Sequence, residues 1–241
     1  MDIIEKLRDD NEYYNGIGKD YLSNSNIGQL LKHPALFQKS EPDNKNFMVG
    51  RYFHQLILEP EKALEFPIVE ASSRNTKLYK DTCIDGVPRL LSKEAEEVNA
   101  WVEIIFQNKD FKSLINQQSN LYEVPAIGKI FGAMWKGKAD IITDDYIIDL
   151  KTTSDLQKFT GYSSRAYNYD SQAYIYQTLF GKPMVFLVID KTTNLTGLYG
   201  VSEEALANGE DKVKRAVDVY NTFYGKNPTQ KIKDYYDTGN I

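Results

Sequence analysis

Cysteine is nearly absent from the sequence, in which Cys83 is the single thiol among 241 residues. One thiol forms no intramolecular disulfide, and it falls short of the several thiolates that hold a cysteine-ligated zinc ion or an iron–sulfur cluster. The sequence therefore excludes a disulfide-stabilised scaffold and an iron–sulfur enzyme, and it favours a reducing compartment.

Long apolar runs are also lacking. The longest extends from Met184 to Ile189, far short of the roughly 18 residues that a membrane-spanning helix needs. The first residues, Met-Asp-Ile-Ile-Glu-Lys, do not have the basic and then apolar form of a signal peptide. We therefore expect no membrane partner and a cytoplasmic location.

Basic residues do not predominate, because 29 lysines and arginines stand against 34 aspartates and glutamates, a formal charge of −5. A nucleic-acid coat protein usually carries a strongly positive domain, so this balance weighs against that class. The acidic excess lies in residues 1–125, whereas residues 126–241 are neutral. An enzyme with an acidic exterior and a positive channel remains compatible with the composition.

Apolar periodicity predicts the order of the secondary structure. Helices are predicted from Ser23 to before Pro34, at 46–58, from a Ser92 cap onward, at 168–180 and at 203–224. Strands are predicted at 121–127, 130–135, 139–143, 146–152 and Met184–Asp190, the last as a central strand, with 66–91 irregular. We expect one α/β domain over residues 1–241, in which a mixed central β-sheet is flanked by helices: an N-terminal helical arm at 1–45, a core at 46–224 and a polar tail at 225–241.

The strongest chemical signal lies between Gly137 and Thr153. If Asp144 and Asp145 form a two-residue hairpin turn, Asp140 lies opposite Asp149 on the neighbouring strand. Opposed side chains lie on one face about 5 Å apart, and strand alternation places Lys151 on that same face. The spacing therefore predicts that two carboxylates and one ammonium group converge.

Two opposed carboxylates repel each other, so a compensating cation is expected between them. Mg²⁺ prefers oxygen ligands and commonly takes one or two protein carboxylates together with water and phosphate oxygens. A neighbouring lysine suits the orientation of a water molecule and the stabilisation of phosphate charge. The alternative is a solvated hairpin face on which the lysine merely separates two aspartates.

These motifs resemble those of the PD-(D/E)XK nuclease superfamily, and more specifically the RecE-type exonucleases (exonuclease VIII) among the RecB-like nucleases. Asp140 followed by Asp149-Leu150-Lys151 matches the core pattern, although Ala139 stands where the pattern's proline, which the chemistry does not need, would be. Four further segments follow in the family's order: an entry segment at 22–34, a histidine-bearing helix at 50–60, a glutamate-bearing strand at 122–125 and a Gln-x-x-x-Tyr helix at 169–176.

The resemblance implies a restriction-endonuclease-like core and a role for individual residues. The implied ligands of Mg²⁺, for which Mn²⁺ would substitute, are His54, Asp140, Asp149 and the backbone carbonyl of Leu150. Glu123 is the further implied metal residue, which would hold a second metal ion or a metal-bound water molecule. Lys151 would position or activate the attacking water. Gln172 and Tyr176, four residues apart on one helix face, would contact DNA near the scissile phosphate or brace the site.

The implied activity is Mg²⁺-dependent 5′ to 3′ exonucleolytic digestion of linear double-stranded DNA in a bacterial host cell. The product would be a 3′ overhang for a single-strand-annealing recombinase of a phage or prophage, and the enzyme would be a ring of three or four subunits. The alternatives are a RecB-like endonuclease or single-strand nuclease, and a catalytically inactive DNA-binding or assembly protein. Retention of His54, Asp140, Asp149 and Lys151 argues for an enzyme.

Two groups of residues near this site have two interpretations each. Three lysines are expected either to contact phosphates or to form a solvated strand face: Lys129, Lys136 and Lys138. Five tyrosines are expected either to stack on bases or to pack half-buried: Tyr162, Tyr167, Tyr169, Tyr174 and Tyr176.

Overall fold

A computed structural model describes residues 2–39, 44–83 and 86–236, with Ser163 described by its backbone alone. The helices are α1 (Ile3–Lys6), α2 (Asp10–Tyr14), α3 (Asn24–Lys32), α4 (Lys45–Leu58), α5 (Pro60–Ala63), α6 (Lys77–Thr82), α7 (Ser92–Gln107), α8 (Lys109–Ile115), α9 (Ser164–Ala166), α10 (Tyr169–Phe180) and α11 (Glu203–Phe223). The strands are β1 (Ile68–Val69), β2 (Leu90–Leu91), β3 (Leu121–Ile130), β4 (Ala133–Ile142), β5 (Ile147–Thr153), β6 (Met184–Asp190) and β7 (Thr196–Gly200). Residues 40–43 of the predicted arm and 237–241 of the predicted tail lie outside the described residues.

A five-stranded mixed sheet, in the order β3-β4-β5-β6-β7, forms the centre of the molecule. Its neighbouring strands are antiparallel except for β5 and β6, which are parallel because α10 carries the chain back across the sheet between them. Helices flank the sheet, so the predicted fold class is confirmed. Within the described ranges, no helix combines the length and apolar composition that crossing a membrane demands.

Strand β6 is buried on both faces, as its unbroken apolar run predicts. Leu187 and Ile189 pack with helices α4 and α7, whereas Phe186 and Val188 pack with α10 on the opposite face. Helix α11 packs against α10 and α3. The sheet therefore lies between two helical layers, and one of these, through α4, carries His54.

The prediction of separate strands at 130–135 and 139–143 is wrong, because β4 runs unbroken from Ala133 to Ile142. The turn lies earlier, at Phe131 and Gly132, whose positive φ angles of 48° and 87° suit a two-residue hairpin. Gly137 is part of the strand rather than of a turn. A Cβ atom at Gly137 would lie 2.7 Å from the Tyr176 ring, so the glycine admits that ring against the strand.

Two local predictions also need correction. Residues 66–91 are not wholly irregular, since β1 and β2 form a small parallel sheet and α6 lies between them. Ser92 is the first residue of α7 rather than its cap, and its hydroxyl donates to the Val69 carbonyl at 3.2 Å. The Glu94 carboxylate instead accepts the N–H of Leu91 at the start of the helix.

The predicted hairpin between β4 and β5 is confirmed. Ile141 pairs with Ile148, Ile142 pairs with Ile147, and the Thr143 N–H donates to the Tyr146 carbonyl at 2.9 Å. Regular pairing ends there, so the predicted pairing of Asp140 with Asp149 is wrong, because the two strands separate before they reach these residues. This separation opens the edge of β4 beside the predicted site.

Two other parts of the chain occupy that opened edge. Leu22 forms a parallel bridge with Trp135, in which the Leu22 N–H donates to Met134 and the Leu22 carbonyl accepts from Lys136. Further along, the Tyr176 hydroxyl donates to the Lys138 carbonyl at 3.1 Å and accepts its N–H at 3.4 Å. The backbone groups of β4 at these positions are therefore satisfied without a neighbouring strand.

Candidate metal centre

Three side chains from three elements converge beside the separation of β4 and β5. His54 of α4, Glu123 of β3 and Asp140 of β4 each direct one potential ligand atom into a group whose atoms all lie within 4.8 Å of one another. Imidazole and carboxylate groups together suit a divalent cation. The residues present therefore fit the metal that the sequence motifs imply.

The Leu150 peptide group anchors this arrangement. Its N–H donates to Asp140 Oδ2 at 2.8 Å, and its carbonyl oxygen lies 2.8 Å from His54 Nε2, which donates because a carbonyl only accepts. The other ring nitrogen, Nδ1, lies 3.4 Å from Asp140 Oδ2. The imidazole thus spans two oxygen atoms that the sequence motifs imply as metal ligands.

The pKa values of His54 and Glu123 are both raised above their ordinary values. Burial would lower the pKa of His54, but the Asp140 carboxylate outweighs burial and raises it to about 9. Burial, reinforced by Asp140, raises the pKa of Glu123 to about 8. At neutral pH the site therefore holds protons on His54 and Glu123. These protons compensate the negative charge of the carboxylates, which a bound divalent cation would compensate in their place.

Asp149 lies outside this group of three and is held by two partners of its own. Gln172 Nε2 donates to Asp149 Oδ1 at 2.6 Å, and the Lys151 ammonium group pairs with Oδ2. Burial raises the pKa of Asp149, and Asp140 adds to this while Lys151 opposes it. Protein groups therefore engage both carboxylate oxygens, and a bound cation would share Oδ2 with Lys151.

Lys151 lies deep in the site, with its ammonium group 5.3 Å from the centre of the Tyr169 ring. Burial would lower the pKa of Lys151, but Asp149 and Asp140 outweigh burial and raise it. The group is therefore an ammonium ion in this setting, suited to donating hydrogen bonds and stabilising negative charge.

The two helix residues of the predicted site both act as braces in this structure. Gln172 is buried against Asp149, and the Tyr176 hydroxyl is engaged by the Lys138 backbone. Burial raises the pKa of Tyr176 well above its ordinary value, so its hydroxyl remains protonated. Of the two predicted roles, the contacts favour bracing over contact with DNA.

Two of the three lysines beside the site do not form a solvated strand face. Lys136 and Lys138 alternate with Gly137 along β4 and are both buried, whereas Lys129 is exposed. Their partners come from α2, which the sequence did not predict: Lys136 donates to the Tyr13 carbonyl and Lys138 donates to Asp10. The signal that reveals this helix is Asp9, whose carboxylate caps it by accepting the Glu12 N–H.

The tyrosine cluster divides into two kinds. Tyr162 and Tyr167 are exposed, whereas the other three are at least half-buried packing residues. Tyr169 belongs to a group of rings with Phe159 and Phe186 beneath the Lys151 ammonium. The packing interpretation therefore holds for most of the cluster.

The chain resembles known proteins in sequence and in fold. The family model for "PDDEXK-like domain of unknown function (DUF3799)" matches residues 29–229. A Eubacterium rectale protein whose name proposes an exonuclease has a TM-score of 0.64 at 20% identity, over 88% of this chain and 85% of its own. The protein SSO0001 has a TM-score of 0.35 at 15% identity, over 72% of this chain and 85% of its own.

A phage-related exonuclease from Haemophilus somnus 129PT has a TM-score of 0.32 at 14% identity, over 66% of this chain and 92% of its own. No curated protein matches the sequence. At 20% identity, the likeness to the Eubacterium rectale protein shows a shared fold.

Proposed function

Because this chain belongs to the family of PDDEXK-like domains that its family model describes, we propose that it is a divalent-metal-dependent exonuclease acting on linear double-stranded DNA. The observation that carries the proposal is the convergence of His54, Glu123 and Asp140 next to the Asp149–Lys151 ion pair. This arrangement places metal-ligating atoms and a buried ammonium group around one point. Phosphodiester hydrolysis can use both, the metal ion to activate a water molecule and the ammonium group to stabilise charge that develops on the phosphate.

The proposed metal ion is Mg²⁺, with Mn²⁺ as a substitute. Its ligands would be Asp140, Glu123, His54, Asp149 through the oxygen that Lys151 contacts, and the Leu150 carbonyl. When bound, the ion would neutralise phosphate charge and increase the acidity of a coordinated water molecule. His54 and Glu123 would release their protons on binding it, because ligands bind in deprotonated form.

The remaining residues are assigned by what they contact. Lys151 orients the attacking water and stabilises charge that develops on the phosphate, since its ammonium group is a donor and not a base. Gln172 fixes the rotamer of Asp149, and Tyr176 fixes the backbone of β4 two residues before Asp140. The active site is thereby held rigid by α10.

The finer features of the proposal rest on the resemblance of this chain to other nucleases. The name of the Eubacterium rectale neighbour favours digestion from an end over internal cleavage. The RecE-type motifs favour 5′ to 3′ polarity, a 3′ overhang passed to a single-strand-annealing recombinase, and a ring of three or four subunits. A cytoplasmic site of action agrees with these features.

The test compares linear duplex DNA, labelled at the 5′ or the 3′ end, with covalently closed circular duplex DNA in the presence of Mg²⁺. We expect digestion of the linear form with early release of the 5′ label, and loss of at least about 100-fold in rate for Asp140→Asn. The matched control is Asp145→Asn, in the exposed hairpin turn, which should digest at the wild-type rate.

Other outcomes separate the alternatives. Cleavage of the circular form at a similar rate would establish an endonuclease. Tight DNA binding without digestion would establish an inactive binding protein, and an Asp140→Asn variant as fast as the wild type would reject the site.

A further inference from the structure

Strand β4 presents three charged side chains on the face that carries the candidate metal centre. Lys136, Lys138 and Asp140 alternate with apolar or small residues, so they point the same way. Only 6% of the Lys138 side chain is exposed. A buried ammonium group is costly unless it is paired, so its partners determine the electrostatics of this face.

Asp10 of helix α2 is the nearest partner of Lys138. The Lys138 ammonium donates to Asp10 Oδ1 at 2.6 Å. Burial would raise the pKa of Asp10, but the hydrogen bonds from Lys138 and Lys62 outweigh burial and lower it. Asp10 is therefore a carboxylate at neutral pH and neutralises Lys138.

The second carboxylate oxygen of Asp10 contacts a different part of the chain, helix α5. Lys62 of α5 donates to Asp10 Oδ2 at 2.9 Å and also pairs with Glu59 at 2.6 Å. Helix α5 follows directly after α4, the helix that carries His54. Asp10 thus joins the strand that bears Asp140 to the helical segment that bears His54.

Lys138 has a second carboxylate within reach, and this one belongs to the metal centre. Its ammonium nitrogen lies 4.0 Å from Glu123 Oε2, much farther than from Asp10. Two carboxyl groups therefore lie within reach of one buried ammonium group, and Asp10 has the closer contact. If Asp10 lost its charge, the nearest remaining carboxyl group for Lys138 would be that of Glu123.

We propose that Asp10 is a positioning residue of the metal centre, which holds Lys138 away from Glu123 and so leaves the Glu123 carboxylate to the metal ion. The inference rests on the proposed function, because it assigns Glu123 to a bound cation. It makes the N-terminal segment a working part of the active site rather than a peripheral arm. The two tyrosine rings beside Lys138, Tyr13 at 4.7 Å and Tyr14 at 5.7 Å, enclose the same ammonium group.

The experiment measures Mn²⁺ affinity by calorimetry without DNA, alongside nuclease rate and urea unfolding, for three variants. Asp10→Asn should weaken Mn²⁺ binding by about tenfold, as is usual when a residue supporting a metal ligand is removed. Asp9→Asn is the matched control. It removes one charge from the same segment, and asparagine also caps helices well, so its affinity should stay within twofold of wild type.

The double variant Asp10→Asn/Lys138→Met tests the cause. If Lys138 captures Glu123 in the single variant, removal of Lys138 should restore most of the lost affinity. The same double variant decides the matter if Asp10→Asn fails to fold, because it removes the ammonium group that the loss of the Asp10 charge would leave unpaired. A double variant that still binds Mn²⁺ tenfold more weakly than wild type would refute the inference.

Two further outcomes distinguish this inference from the proposed function. Wild-type protein that binds Mn²⁺, with an Asp10→Asn variant that binds it equally well, overturns the positioning role alone. Wild-type protein that binds no Mn²⁺ overturns both. Unchanged Mn²⁺ affinity with faster digestion in Asp10→Asn would instead identify the segment as a cover over the site, which also contradicts the inference.

Discussion

Gln172 donates its side-chain N–H to Asp149 Oδ1 at 2.6 Å, although the two residues are 23 positions apart in the chain. The contact links helix α10 on one face of the sheet to strand β5. It occupies one carboxylate oxygen, and Lys151 pairs with the other. An uncharged side chain therefore helps to set the rotamer of Asp149.

We expect Gln172→Leu to lower the nuclease rate by about 10–100-fold, because Asp149 loses the donor that orients it. Leucine has a similar volume, so the effect should arise from the lost hydrogen bond rather than from a cavity. The matched control is Gln177→Leu, on the same helix but away from Asp149. A Gln172→Leu variant with the wild-type rate would show that Asp149 needs no such orientation.

Helices α10 and α11 pack unusually closely at Gly209. A Cβ atom at this position would lie 2.2 Å from the carbonyl oxygen of Asp170, a backbone atom that cannot easily move. Gly209→Ala should therefore lower the free energy of unfolding by about 1–3 kcal/mol. Because α10 carries Gln172 and Tyr176, the nuclease rate should fall as well.

The control for this substitution is Gly50, a glycine of helix α4 with nothing within 4 Å of its would-be Cβ atom. Gly50→Ala should raise the free energy of unfolding by up to about 1 kcal/mol, the usual helix-propensity gain. Urea unfolding measures both effects. Equal responses of the two variants would contradict the close packing of α10 and α11.

The lowered pKa of Glu94 predicts that the stability of the fold depends on pH. Burial would raise its pKa, but hydrogen bonds from Arg74, the Leu91 N–H and Lys45 outweigh burial and lower it from 4.5 to about 2. A carboxyl with a lowered folded-state pKa stabilises the fold above its unfolded-state pKa, and this contribution is lost as the pH falls toward the folded-state value. Protonation of Glu94 should therefore weaken the fold between pH 4.5 and about 2.

Glu94→Gln should lower the free energy of unfolding by about 1–2 kcal/mol at neutral pH, because Arg74 loses a charged double hydrogen bond. The difference from wild type should narrow below pH 4.5. Glu97→Gln, on the exposed side of the same helix, is the control and should change little at any pH. A constant difference over the whole pH range would show that the carboxylate charge of Glu94 is not the cause.

Local patterns predicted the parts of the fold that local interactions determine. The β4–β5 hairpin follows from strand alternation around Asp144 and Asp145, and helix α10 ends at Gly181, whose φ of 67° suits a left-handed cap. The apolar run of β6 predicted its central position. Each of these features depends on residues within a few positions of one another.

The sequence could not predict features that distant contacts create. Lys136 and Lys138 were expected to contact phosphates or to form a solvated strand face. They are buried in a strand because Asp10 and Tyr13, more than 120 positions earlier in the chain, pair with them. Strand β7 was not predicted because its five residues include two glycines and lie partly exposed at the sheet edge. Tertiary contacts outweighed local propensity in each case.

The same distinction applies to the candidate site. The Asp-x-Lys spacing predicted that Asp140, Asp149 and Lys151 converge, since strand alternation alone brings Asp149 and Lys151 to one face. It could not predict that the strands separate there, so that Asp140 accepts the Leu150 N–H instead of opposing Asp149 in a regular pair. That separation makes room for His54, which belongs to helix α4 and precedes its partner Leu150 by 96 positions in the chain.

Substitutions of Lys151 and of His54 should have different effects, the first on catalysis alone and the second on metal binding as well. Lys151→Met should lower the nuclease rate by at least about 100-fold, because the phosphate and the water lose their ammonium donor. Its Mn²⁺ affinity should remain near that of wild type or increase, since a positive charge leaves the neighbourhood of the ligands. His54→Ala should instead lose Mn²⁺ affinity together with activity.

The control is Lys158→Met, an exposed lysine paired with Asp155, which should change neither quantity. Because Lys151→Met leaves Asp149 buried with Gln172 alone, urea unfolding must establish that the variant is folded under the assay conditions. A folded Lys151→Met variant that digests DNA at the wild-type rate would exclude the lysine from the chemistry. Equal loss of Mn²⁺ affinity in the Lys151 and His54 variants would show that the two residues form one structural unit, and the separate assignment of catalysis to Lys151 would then be wrong.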